Sequence, residues 1–179
     1  TGWVTVFTDT FTRANANPLS GSWETVPLAY PFQLSGNKAL GTATGTNGCL
    51  ENSVVLGPNQ AISVVIAGSG FWGLRWRWTG SEATGTGYRF SAEMNGVSSY
   101  IDVYKNVAGS WAQVGSRINY GVAGSIVRVQ MIDNTIKIHV DGIERYSASD
   151  NSISSAGKVG LYSSTTIQTF SNVIIQSYQ

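Results

Sequence analysis

Apolar and polar side chains alternate along much of this chain, and no segment carries the three-to-four-residue spacing of an amphipathic helix. Short runs of β-branched and aromatic residues recur between clusters of Gly, Asn, Asp and Ser, the pattern of an all-β sandwich or barrel. The predicted strands are Trp3–Thr8, Trp23–Val26, Cys49–Leu56, Ala61–Ala67, Phe71–Thr79, Gly87–Met94 and Ser99–Lys105, followed by Trp111–Ile118, Ser125–Ile132, Thr135–Val140, Ile143–Ser147, Lys158–Tyr162 and Thr169–Ser177. Two turns are signalled between apolar runs, Asp133-Asn134 and Asp141-Gly142, the latter a dipeptide that a type I′ hairpin prefers. With no fixed-period repeat and no linker, residues 1–179 read as a single domain.

Alternation also assigns faces, because successive side chains on a strand point to opposite sides. From Phe71 to Thr79 the even positions Trp72, Leu74, Trp76 and Trp78 form one apolar set, while the odd positions include Arg75 and Arg77. The next strand repeats the division, with Tyr88, Phe90, Ala92 and Met94 against Arg89, Ser91 and Glu93. Ile101 and Val103 then oppose Tyr100, Asp102 and Tyr104, and a hairpin partner would turn Ala112 and Val114 inward and Trp111 and Gln113 outward. One sheet is therefore expected to pack an oily face, including the tryptophan stripe, against a second sheet. Its outer face would bear Arg, Glu, Asp, Tyr and Trp, and fits either a solvated surface with cross-strand Arg–Glu pairs or a shallow ligand groove.

Composition removes several classes. The 179 residues are enough for a sizeable core, and only 12% are charged. Eleven basic and ten acidic residues leave a net charge of +1, too little to attract nucleic acid or an anionic membrane. No apolar run reaches the roughly 18 residues of a membrane span. One cysteine, Cys49, rules out an internal disulfide and a cysteine pair on zinc, and fits a buried filler beside Leu50. The sole histidine, His139, falls on the outward parity beside Lys137 and reads as a surface residue. A start at Thr1 without a signal peptide suggests a chain processed or cut from something longer. The abundance of Ser, Thr, Asn and Gly suits an extracellular or virion-surface β-protein.

Four pairs of stretches carry a family likeness. Phe7-Thr-Asp-Thr-Phe-Thr-Arg13 with Gly21-Ser-Trp-Glu24 resembles the opening of concanavalin A-like, laminin-G-like jelly-roll domains. Gly73-Leu-Arg-Trp76 and Gly87-Tyr-Arg-Phe90 resemble that family's central strands, and Val127-Arg-Val-Gln with Thr135-Ile-Lys-Ile-His-Val-Asp-Gly142 its hairpin. Gly157-Lys-Val-Gly-Leu161 and Phe170-Ser-Asn-Val173 are similar to its close. The resemblance implies a two-sheet antiparallel jelly-roll β-sandwich with the terminal strands paired, in a family of glycan-binding or adhesive modules that includes phage surface proteins, glycosidases and lyases.

The residues then separate the readings. A glycosidase needs paired carboxyl groups across a sugar site. Here only Glu93 and Asp102 qualify, without the acidic cluster or the lyase pattern of the family's catalytic members, so no catalytic residue is assigned. Binding needs only aromatic platforms and hydrogen-bonding groups. Arg75, Arg77, Arg89, Glu93, Tyr100, Asp102, Tyr104 and Trp111 supply both and form the expected ligand site, for a glycan or surface polysaccharide. Arginine would also suit a glycan bearing carboxylates or sulfates. A structural calcium stays open through Asp9 and Glu24, although Ser171 replaces a frequent family aspartate; no other cofactor or metal is expected. The alternative to a glycan module is a structural, decoration or fibre protein of a bacteriophage virion, with homo-oligomeric or virion neighbours contacting Ala14–Gly21, Gly80–Gly87 and Ser149–Gly157.

Overall fold

The computed structural model describes residues 2–68, 70–94, 99–120, 125–164 and 169–179. Every run named above forms a strand. In chain order they are β1 (Trp3–Asp9), β2 (Trp23–Thr25), β3 (Phe32–Ser35), β4 (Lys38–Gly41), β5 (Asn47–Glu51), β6 (Gln60–Ala67), β7 (Gly70–Thr79) and β8 (Thr86–Met94). After them come β9 (Ser99–Val107), β10 (Ser110–Ile118), β11 (Ile126–Ile132), β12 (Thr135–Val140), β13 (Ile143–Ser149), β14 (Lys158–Ser163) and β15 (Thr169–Tyr178). The hairpin β3–β4 is an addition to the expected set. Its strands are four residues each, too short to show a period, and its signal is the turn Gly36-Asn37, where both residues have positive φ. The run from Cys49 also ends as a strand at Glu51 rather than continuing to Leu56.

Two antiparallel sheets form a jelly-roll sandwich. One has eight strands in the order β13-β12-β11-β6-β15-β4-β3, with β1 pairing β15; the other has seven, in the order β10-β9-β8-β7-β14-β5-β2. The chain ends meet as expected, Trp3 opposite Tyr178 and Asp9 opposite Val173. The inner faces supply one core in which Trp72 edges onto Phe90 and Phe170, and Trp76 stacks on Tyr88 with ring centres 5.5 Å apart. Tyr88, Phe90, Ala92, Ile101, Val103 and Val114 all point inward as read from the sequence, whereas Ala112 is exposed. The side chain of Met94 lies outside the described residues.

The opening motif is an architectural device. The Asp9 carboxylate accepts hydrogen bonds from the Phe11 amide, from Arg13 and from the Trp23 indole, each at 2.7 Å. Arg13 in turn donates to the Ser20 carbonyl at 2.7 Å. Asp9 and Arg13 are thereby tied to the more distant Trp23 in a closed polar knot, in which the buried acid has its charge balanced and its oxygens filled.

One local irregularity rearranges the sheet. Along β7 the register slips by one residue against both neighbours, between Trp76 and Thr79 on the β8 side and opposite Lys158/Gly160 on the β14 side. Arg77 occupies the bulge with φ 49°. Glycines on both sides make room: a Cβ on Gly87 would lie 2.7 Å from the Trp78 Cα, and one on Gly157 would lie 2.4 Å from the Arg77 carbonyl carbon. The extra residue shifts the parity, so Arg77 turns in between the sheets and Trp78 turns out. Both differ from strict alternation, which placed Trp78 in the core stripe and Arg77 on the outer face. The Arg77 guanidinium donates to the carbonyls of Pro58 at 2.6 Å, Ile153 at 2.5 Å and Asp133 at 2.8 Å.

At the opposite margin β10 leaves the register of β9. Val114 pairs with Val103, but the next pairing is Ile118 with Ile101, and Gly115 between them has φ 65°. Tyr146 of β13 donates its phenol to the Val114 carbonyl, fastening the two sheets where the ladder breaks.

Two outcomes follow from this packing. Arg77→Met should lower the unfolding free energy by about 2–4 kcal/mol, measured by chemical denaturation, because the buried Ile153 carbonyl and two part-buried carbonyls lose a charged donor. Burial pushes the Cys49 thiol up from 9.0 to about 12. Iodoacetamide at pH 8 should therefore leave native Cys49 unlabelled and label it on unfolding. Since only the unfolded chain ionises this thiol just above pH 9.0, its contribution to stability is full below that pH and falls away between 9.0 and about 12.

Candidate functional site

The outer face of the seven-stranded sheet gathers most of the chemistry-bearing side chains. Cross-strand pairing sets Arg75 opposite Arg89, Arg89 opposite Tyr104, Ser91 opposite Asp102 and Glu93 opposite Tyr100. Two cations directly opposed on neighbouring strands repel. The structure resolves that repulsion with one carboxylate and a set of aromatic rings.

Glu82 supplies the carboxylate from the turn between β7 and β8. Its side chain pairs with Arg75 in a hydrogen-bonded ion pair, and its second oxygen lies 3.7 Å from Arg89. The turn is held by Ser81, whose carbonyl accepts the Gly85 amide at 2.9 Å and whose hydroxyl accepts the Thr84 amide at 3.1 Å. The Glu82 amide itself donates to the Pro27 carbonyl at 3.0 Å, which anchors the turn across the sheet to the β2–β3 connection. Beneath it the Arg75 side chain is fully covered. Its guanidinium lies 4.8 Å from the Trp78 ring centre and 5.1 Å from that of Tyr162. A Cβ on Gly48 would stand 2.4 Å from its Nη1, so glycine there is a condition of the arrangement. Burial, opposed by Glu82, draws the Arg75 guanidinium down to about 10, which leaves it charged at neutral pH.

Arg89 is the more open member of the pair. Its guanidinium sits 4.2 Å from the Trp111 ring centre and 4.4 Å from that of Tyr162, and its Nε donates to the Ser91 hydroxyl at 3.1 Å. Trp111 is the large exposed aromatic of this patch, with its ring tilted against Trp78 at 5.8 Å. On the far side of Trp78 a hollow of about 300 Å³ runs between Leu50, Ser81 and the Glu24–Lys158 ion pair. Asn106, opposite Trp111, is buried on the same face with neither amide atom hydrogen-bonded.

The other end of the face is acidic in origin but closed. Asp102 is buried, and accepts bonds from Gln113 at 3.1 Å, from the Tyr104 phenol at 3.4 Å and from Arg117, whose guanidinium lies 3.7 Å from the Tyr100 ring centre. The bond to Asp102 raises Arg117 above its usual range. Burial, and then its hydrogen bond to Glu93, push the Tyr100 phenol up to about 12.

Of the eight residues expected on this surface, seven lie on it: Arg75, Arg89, Glu93, Tyr100, Asp102, Tyr104 and Trp111. Arg77 does not, for the reason given by the bulge. Sequence reasoning missed Trp78, Glu82, Arg117 and Tyr162. Tyr162 and Arg117 stood at outward positions of predicted strands and could have been found there; Glu82 lies in a turn that alternation does not reach. The two acids considered for calcium do not fit it. Asp9 is filled by Arg13, Trp23 and the Phe11 amide, Glu24 holds Lys158, and no group of three His, Cys, Asp or Glu suited to a metal gathers among the described residues. His139 sits half-buried on the outer face of the other sheet, 4.0 Å from Glu144.

No protein-family model matches the chain, and no curated protein matches it in sequence. Solved structures share its fold. A carbohydrate-binding module, CBM66, from Bacillus subtilis aligns at 16% identity over 99% of this chain and 94% of its own, with a TM-score of 0.59. A Bacillus subtilis protein of unknown function with a galectin-like fold aligns at 5% identity over 99% and 98%, with a TM-score of 0.73. A Bacillus licheniformis β-glucanase aligns at 11% identity over 97% and 98%, with a TM-score of 0.64. The fold is thus the concanavalin A-like jelly roll that the sequence motifs resemble.

The Arg75–Glu82 pair carries its own test. Glu82→Gln leaves a covered guanidinium without a counter-charge and should lower the unfolding free energy by about 2–4 kcal/mol in chemical denaturation.

Proposed function

We propose that this chain is a non-catalytic carbohydrate-recognition module of an extracellular or otherwise exposed surface, and that the glycan lies on the outer face of the seven-stranded sheet. The observation that carries this reading is Trp111, 38% exposed and braced by Trp78 and Arg89. An indole held in this way offers a rigid apolar platform to the C–H face of a sugar, with Gln113, Tyr104 and Arg89 beside it for hydroxyl groups. Structures of the same fold include one named as a carbohydrate-binding module and one named as a β-glucanase, which supports the reading at the level of substrate class.

Hydrolysis is disfavoured by the state of the carboxylates. Asp102 is tied to Arg117, Glu82 to Arg75 and Glu24 to Lys158, and Glu93 takes the Tyr100 phenol. A general acid and its partner need room for a sugar between them, and these groups are each engaged with a neighbour.

A glycan panel followed by calorimetry tests the reading. Trp111→Ala should weaken binding of the best ligand at least tenfold, equivalent to about 1.4 kcal/mol, with the thermal midpoint unchanged. Unchanged affinity would remove the proposed platform. Release of reducing ends or unsaturated products from any polysaccharide of the panel would overturn the non-catalytic assignment.

A further inference from the structure

The geometry points to an acidic glycan, held through its carboxylate or sulfate by Arg89. This rests on the carbohydrate reading above and narrows its ligand class. The argument begins with the opposed pair Arg75 and Arg89, which share one carboxylate. Glu82 cannot serve both equally. Arg75 is fully covered and has no access to water, so the close ion pair belongs to it. What remains for Arg89 is an oxygen at 3.7 Å, beyond hydrogen-bond range. Among the described residues, the sole hydrogen bond of its guanidinium is the one from Nε to Ser91, and the side chain keeps 14% of its surface exposed. The guanidinium is therefore positioned by aromatic rings and a hydroxyl, with no bidentate partner in its fork among the described residues.

Such a group is already oriented for an anion. Its plane is fixed between Trp111 and Tyr162, so little rotamer freedom is lost on binding. The surroundings favour negative charge at this end alone: around Arg117, by contrast, Asp102 and Glu93 outnumber the single cation. A sugar resting on the exposed part of the Trp111 indole brings a ring substituent next to the Arg89 fork. Charge-assisted hydrogen bonds from guanidinium to an oxyanion are roughly twice as strong as those to a neutral hydroxyl.

Calorimetry with two matched pairs of probes tests this: an oligogalacturonate and its carboxyl-reduced neutral counterpart, and a sulfated dextran oligosaccharide and its neutral dextran. The protein should bind at least one acidic probe tenfold or more tightly than the matched neutral one, and which probe wins identifies carboxylate or sulfate. Arg89→Gln should bring that ratio close to one, whereas Trp111→Ala should weaken neutral as well as acidic binding. Equal affinity for acidic and neutral probes, or a preference that survives Arg89→Gln, overturns the inference while leaving carbohydrate recognition intact. Absence of binding to every glycan overturns both. Arg89→Lys, which keeps the charge but loses the fork, should retain less than the full ratio, and serves as the variant if Arg89→Gln does not fold.

Discussion

The slip of one residue at Arg77 is the constraint on which the character of the outer face depends. Had β7 kept strict alternation to its end, Trp78 would lie in the core and a guanidinium would stand in its place outside. The bulge exchanges them, and the three carbonyls that Arg77 reaches hold the exchange in place. An arginine with positive φ is an uncommon conformation. It persists because the chains crowded against it at residues 87 and 157 carry no side chain, and because the interior offers its charge a closed set of acceptors. Trp78, once outside, becomes the floor on which Arg75 lies and against which Trp111 leans.

Electrostatics on the same face works through unequal sharing. Burying a charge is tolerable when its partner is fixed, and the Glu82 turn is fixed by its own hydrogen bonds and by the Pro27 carbonyl. Balancing the charge of Arg75 in this way leaves Arg89 to the Ser91 hydroxyl and to ring faces, which attract cations but saturate none of their donors. At the other end, Asp102 binds Arg117, Gln113 and Tyr104 and has little left to offer. A sheet whose charges sum to nearly nothing can still be uneven along its length.

The sequence revealed the fold class because burial on one side of a strand imposes a period of two, and thirteen of the fifteen strands are long enough or apolar enough to show it. Its opening motif was also readable, and the structure gives the physical cause: Asp9, Arg13 and Trp23 close a single polar knot. What stayed hidden were events of one residue. The bulge leaves no trace in alternation, and its clue is steric, a glycine at the head of β8 where a side chain would strike the backbone of Trp78. Glu82 was hidden for another reason. A turn residue acquires its partner from tertiary approach, and nothing in its own spacing marks it as the counter-ion of a strand arginine.

The break in the ladder between Val114 and Ile118 bears on how this surface meets other molecules. An outermost strand presents unpaired amides and carbonyls, and a long straight one invites edge-to-edge polymerisation. Here a foreign strand laid along β10 would lose step at Gly115, as β9 already does. The same kink thus guards the molecule against templated fibre growth while the aromatic and guanidinium groups next to it stay uncovered.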